Sequence, residues 1–275
     1  VLASRREREV RVVGISLEAM TDDVVLMTVE AGVASITLNR PAQGNAMSLE
    51  VMETLQRLFR DTEADPNCHV AVIHGSGRVF CGGGDLGDLS KAADHADLKV
   101  RMVTALQDTM FAIAASRLVV ISAVNGAAAG AGLGLMLNTD IVLASPKASF
   151  HGAYGAIGLS PDAGVSYLLP LAIGAKRAAT VLLTGARVSA EDAHAWGLVA
   201  ELHEPEELDA RADELARRLA AGATQALAPT KRLLNAPALA GYQAHLDLER
   251  DGITSLAPHP DTQARIQSLM SKASK

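Results

Sequence analysis

The 275-residue sequence is poor in aromatic residues, in cysteine and in long apolar runs, and each shortage closes off a class of protein. Aromatics supply 3% of a chain that is 49% hydrophobic, so its core must be built from Ala, Val, Leu and Ile. Cys68 and Cys81 are too few for a disulfide framework and form no C-x-x-C pair, which points to a reducing, cytoplasmic setting. The eight histidines are scattered without the close spacing of a zinc site, and no metal is expected. No apolar run reaches the roughly 18 to 20 residues of a membrane span without a glycine or a charge, so no membrane partner is expected. A net charge of −6 argues against nucleic acid and anionic surfaces as general partners. Residues 1–20 are charged and lack an apolar stretch followed by a cleavage site; they are expected to form a flexible arm, with Met20 a natural start.

What the chain does have is glycine in two special places. Val119 to Val124 is β-branched and apolar, as a buried strand is, and Asn125 and Gly126 stop it. Gly126, Gly130, Gly132 and Gly134 follow among alanines, and a helix is expected from Leu133. Small residues there let backbone approach backbone and leave N–H groups uncovered beside a helix start, a geometry suited to a negatively charged oxygen. Residues 70–86 repeat the pattern: a strand from Val70, a turn at Gly75 and Gly77, then Gly82, Gly83 and Gly84 before Asp85. Two such turns meet the requirement for a two-donor oxyanion hole; two ordinary glycine turns are the plain alternative. Gly126, Gly130 and Gly132 also match the G-x-x-x-G-x-G of short-chain dehydrogenases, but they do not follow the first strand. Tyr154, Tyr167 and Tyr242 all lack the lysine four residues on that such enzymes need.

In chain order, Val24 to Leu38 predicts a hairpin broken at Ala31 and Gly32, and Ser48 a cap for a helix with Val51, Met52, Leu55, Leu58 and Phe59 on one face. Asp88 to Ser116 is expected to be helical, 140–144 a strand, and 147–174 a long loop-rich connection. Helices are expected at 176–184, 190–196, 205–221, 225–235 and 239–255, with another after Pro260. Strands with crossover helices, then helices alone, indicate an α/β core over 21–204 and a helical region over 205–275.

Five motifs, LNRPAQGNAMS (38–48), GSGRVFCGGGDL (75–86), VNGAAAGAGLGLMLNTDIVLAS (124–145), GLSPDAGVSYLLP (158–170) and TGARVSAEDAHAWGLV (184–199), occur in the order found in one family. From about Val24 onward the chain resembles the crotonase, or enoyl-CoA hydratase/isomerase, superfamily. The resemblance implies a ββα spiral core, a C-terminal α-helical trimerisation region with a homotrimer or hexamer as the assembly, and an acyl-CoA thioester as substrate. Coenzyme A then belongs to the substrate, and no separate cofactor is implied. The thioester carbonyl would be polarised by the Gly84 and Ala131 N–H groups, and the coenzyme A portion would lie along Ala42, Gly44, Gly84, Asp85, Leu86 and Gly87.

The departures from the family pattern narrow the chemistry. The two glutamates by which family hydratases activate water fall at Gly134 and Tyr154; glycine has no side chain and a tyrosine titrates near 10, so neither serves as a base near neutral pH. Asp162, in SPDAG, aligns instead with the single acidic base of some enoyl-CoA isomerases in this superfamily. An apolar pocket of Ile157, Leu159 and Leu135 would raise its proton affinity. Asx-type turn chemistry is the other role open to Asp162. Double-bond isomerisation is therefore the expected activity, with hydratase-type activity or a non-catalytic acyl-CoA-binding protein as alternatives. Lesser roles are weighed for Tyr154 (orienting substrate, donating a proton, or only lining the pocket), His151 (a base, or more often a structural histidine), Asp85 (capping its helix) and Lys231 (a phosphate contact, or more simply an exposed helix lysine).

Overall fold

The computed structural model describes residues 24–93 and 96–273; the expected arm and Met20 lie outside the described residues. β1 (Val25–Glu30) and β2 (Val33–Leu38) form the expected hairpin, pairing Val25 with Leu38 at one end and Glu30 with Val33 at the other. Its two turn residues, Ala31 and Gly32, take φ of 51° and 81°, the left-handed pair whose twist matches antiparallel strands. Ser48 Oγ accepts from Val51 N at 3.3 Å to start α1 (Leu49–Ala64), which buries the five apolar residues of its predicted face.

A unit of two strands and helix then recurs. β3 (Val70–Gly75), β4 (Val79–Cys81), α2 (Leu86–Ala93) and α3 (Ala96–Ala115) make the first turn; β5 (Val119–Val124), β6 (Ala127–Ala129) and α4 (Ala131–Leu137) make the second. β7 (Ile141–Ala144), β8 (Ser149–His151) and α5 (Val165–Ile173) make the third. Each turn sends one strand to each of two sheets. The larger runs β1-β2-β3-β5-β7-β10, parallel from β2 onward, and the smaller runs β4-β6-β8-β9. The remaining elements are α6 (Ala175–Thr184), β9 (Val188–Ser189), α7 (Ala190–Ala195), β10 (Glu201–Leu202), α8 (Pro205–Ala220), α9 (Thr224–Leu256) and α10 (Pro260–Ala273).

The inner part of the larger sheet is covered on both faces, which is why β3, β5 and β7 lack polar alternation. Val70 and Val72 point to Leu208, Ala212 and Leu215 of α8, while Ala71 and Ile73 enter the main core with Leu55 and Phe59 of α1. Successive bends of the spiral are stacked by side-chain amides. Asn125 Nδ2 donates to Gly75 O at 3.0 Å and Gly77 O at 2.8 Å, and a Cβ at Gly126 would collide with Arg78 O.

Two expectations about secondary structure need correction. The connection 147–174 holds β8, a 3-10 turn at Tyr154–Ile157 and α5; β8 is too short to show alternation, and α5 is too uniformly apolar to show a helical period. The separate helices at 225–235 and 239–255 are one continuous α9 despite Pro229 and Pro237. A proline removes one helix N–H, yet Lys231 and then Tyr242, Leu246, Glu249 and Ile253 are buried along it and fasten both halves to the body.

Candidate active site

The two glycine turns meet. A Cβ on Gly83, which sits at φ 111°, would lie 3.0 Å from Ala129 O and 3.8 Å from Ala131 N, and one on Gly130 would lie 3.8 Å from Gly83 Cα. At Gly132 a Cβ would strike Cys81 O, so only glycine lets α4 start this close to the strand beside it. The 82–84 segment is aligned by Gly82 N donating to Gly44 O at 2.8 Å and Met47 N donating to Gly83 O at 2.8 Å. Among the described residues, neither Gly84 N–H nor Ala131 N–H is spent on a main-chain oxygen. Ala131 opens α4, so its N–H also carries the positive end of the peptide dipoles.

Both residues line one apolar cavity of about 170 Å³. Met52, Met102, Leu106, Ile157, Leu159 and Leu269 are among its apolar lining residues, and Asp162 is the one carboxylate among the described ones. Asp162 lies in a turn where Ala163 and Gly164 take φ of 57° and 79°. Burial pushes its carboxyl up to about 7; the Tyr154 hydroxyl, donating to Oδ1 at 2.8 Å, pulls the other way, and the nearby Glu249 charge pushes up again. Tyr154 itself is buried and held well above the usual phenol range, by burial first and then by Asp162 beside it. It is therefore a fixed hydrogen-bond donor. An acid that changes protonation near neutrality and lines the same apolar cavity as two main-chain donors is equipped to move a proton beside a developing oxyanion.

The Asx-turn role for Asp162 is not the arrangement found. The N–H it would engage, that of Gly164, donates to Glu249 Oε2 at 2.7 Å, while the Asp162 carboxyl accepts from Tyr154. Of the residues expected along the coenzyme A portion, Gly84 and Leu86 line the cavity. Gly44 stands one hydrogen bond behind it through Gly82, and Ala42 lies in an exposed 3-10 turn. Asp85 and Gly87 are absorbed in starting α2: Asp85 Oδ1 accepts from Gly87 N at 2.9 Å and Asp88 N at 3.1 Å, the capping role expected of it. Burial acts to raise the Asp85 carboxyl, but Arg40 at 2.8 Å and these amides outweigh it and hold it below the ordinary range.

Two expectations fall here, for Leu135 and Lys231, and His151 keeps the structural role preferred for it over that of a base. Leu135 is fully buried in the main core and is not among the cavity's lining residues. Lys231 is neither exposed nor free for a phosphate: it is 5% exposed, 2.8 Å from Asp140 Oδ2, and donates to Leu118 O at 2.8 Å. His151 does not line the cavity either; burial, with Arg187 near it, lowers its proton affinity. Sequence reasoning missed the Tyr154–Asp162 pair and Glu249 entirely. The first falls in a segment without periodicity, and the second is 85 residues from the turn it holds.

Comparison with known proteins shows the family to which the chain belongs. The family model for enoyl-CoA hydratase/isomerase matches residues 28–274. The chain is similar to the 1,2-epoxyphenylacetyl-CoA isomerase of Escherichia coli K12, at 35% identity over 92% of this chain and 97% of the relative. It is also similar to the trans-2-decenoyl-[acyl-carrier-protein] isomerase of Streptococcus mutans, at 32% identity over 90% of this chain and 95% of that one. Among solved structures, an enoyl-CoA hydratase/isomerase from Mycobacterium paratuberculosis superposes with a TM-score of 0.85, at 30% identity, covering 90% of this chain and 98% of the other. The chain belongs to the enoyl-CoA hydratase/isomerase family.

Proposed function

We propose that this protein is an enoyl-CoA isomerase that moves a double bond from the β,γ to the α,β position of an acyl-CoA thioester. The thioester oxygen sits between Gly84 N–H and Ala131 N–H. Asp162 removes a proton from the α carbon, the electrons move onto the thioester oxygen as a dienolate, and the same carboxyl returns the proton at the γ carbon. Nothing is consumed, and the α,β double bond gains conjugation with the carbonyl. A lost donor of this kind commonly costs about 3 to 4 kcal/mol of transition-state stabilisation.

One observation carries the reading: among the described residues lining an apolar cavity, Asp162 is the only carboxylate, where a hydratase of this family would have two glutamates. At the first of those positions a Cβ on Gly134 would collide with Ala163, so α4 and the Asp162 turn are packed too tightly to hold a glutamate there. At the second, Tyr154 is spent on Asp162. Two of the relatives named above are themselves named isomerases, which supports the same choice. The coenzyme A portion is placed along Ala42, Gly44 and Gly84 to Gly87.

Incubation of the full chain with a β,γ-enoyl-CoA should produce the absorbance of the conjugated thioester, and Asp162→Asn should abolish it while acyl-CoA still binds. Hydration of an α,β-enoyl-CoA without isomerisation would favour the hydratase alternative, and binding with no turnover the non-catalytic one. We propose a homotrimer or hexamer as the working assembly, consistent with Leu233, Leu234 and Leu248 standing exposed along α9; sedimentation of the purified chain tests it.

A further inference from the structure

α5 begins without a cap of its own. Its N-cap is Gly164, which has no side chain to offer, and Asp162 two residues earlier turns its carboxyl to Tyr154 instead. A helix start left open beside a reacting group would compete for that group's oxygens. Glu249, from the far helix α9, closes it. Its Oε2 accepts from Gly164 N at 2.7 Å, and its Oε1 accepts from Ser166 N at 2.9 Å and Ser166 Oγ at 2.6 Å. Since the Ser166 hydroxyl donates to Glu249, its oxygen takes the Nε2–H of His245, 2.8 Å away. The glutamate is 6% exposed and engaged with donors on both oxygens, so its charge is fixed in place. The groups around the base are Tyr154 from the 3-10 turn and Glu249 from α9; His245, with its Nε2 4.0 Å from Glu249 Oε1, stands behind Glu249.

Resting on the isomerase reading of Asp162, we propose that Glu249 is a positioning residue for that base. By capping α5 in place of Asp162 it frees the aspartate's carboxyl for substrate, and it sets a second carboxylate behind it. That charge opposes ionisation of Asp162, reinforcing the effect of burial and countering Tyr154.

The test is the pH dependence of kcat/KM for isomerisation in the full chain, with Asp162→Asn measured alongside. Glu249→Gln removes the charge and leaves one acceptor oxygen; its acidic limb should move to lower pH by roughly half a unit to one unit, with kcat reduced about tenfold. Glu249→Asp keeps the charge but is too short for both main-chain bonds; its kcat should fall similarly with the limb unmoved. A limb that stays put in Glu249→Gln, or shifts equally in both variants, overturns the proposal while leaving Asp162 as base, provided Asp162→Asn is inactive. An active Asp162→Asn overturns the isomerase reading and this proposal together. Where Glu249→Gln does not fold, Glu249→Asp decides, because it keeps the charge but cannot make both main-chain bonds. A wild-type kcat in Glu249→Asp counts against Glu249 as a positioning residue.

Discussion

The two walls of the cavity are made of different chemistry. One is main chain: Gly84 and Ala131 present N–H groups whose direction is set by the packing of glycine on carbonyl, Gly83 against Ala129 and Gly132 against Cys81. The other is side chain: Asp162, tuned by Tyr154 and braced by the Glu249 contacts to its turn. A main-chain wall is indifferent to which residues supply it as long as no Cβ intervenes. A side-chain wall depends on identity, burial and charge, and so decides which reaction follows once a thioester oxygen is held.

The sharpest way to break this division is at the acid. Asp162→Asn should lower kcat at least about a thousandfold with acyl-CoA binding nearly unchanged, because it removes a proton acceptor and leaves the donors in place. Steady-state kinetics with titrated binding would check it.

Next comes the main-chain wall. Gly83→Ala puts a Cβ at 3.0 Å from Ala129 O in a backbone at φ 111°, so we expect turnover to fall about a hundredfold as the Ala131 donor is displaced. The strained backbone should also cost about 1 to 3 kcal/mol of stability, measured by denaturant unfolding.

A smaller effect tests the tuning of the acid. The Tyr154 hydroxyl favours the charged form of Asp162, so Tyr154→Phe should raise the aspartate's proton affinity and move the acidic limb of the kcat/KM profile to higher pH, by roughly one unit.

The smallest effect is on stability, and its sign is unusual for a carboxylate. The folded Asp162 titrates at about 7, above the ~3.9 of an unfolded aspartate, so between these values the folded state binds more protons. Its contribution to stability therefore falls as pH rises through that window, and the penalty is complete above it. Asp162→Asn should melt higher than the parent by several degrees near pH 8 and show no such gain near pH 4, in calorimetry across pH.

The same division separates what was legible in the sequence from what was not. The β1–β2 hairpin, the Ser48 cap, the strands of the larger sheet and both glycine turns announce themselves locally, since glycine at Gly126 or Gly132 answers to a neighbouring backbone that admits no Cβ. The acid could be named, but not its setting. Tyr154 lies in a 3-10 turn with no hydrophobic period, and Glu249 is one charged residue among many on a helix whose registry against α5 only tertiary packing fixes. Lys231 shows the same limit: on sequence it belongs to a polar helix face, yet docking of α9 buries it against Asp140. Pro229 and Pro237 mark a break by local rules, and burial along the helix overrides them.

The position of a bound thioester decides whether Gly84, Ala131 and Asp162 act together. A crystal structure with an acyl-CoA that cannot isomerise should place the thioester oxygen about 3 Å from both Gly84 N and Ala131 N, with the α carbon about 3 to 3.5 Å from the Asp162 carboxyl. A thioester oxygen bound by neither amide, or an α carbon beyond the reach of Asp162, would contradict it.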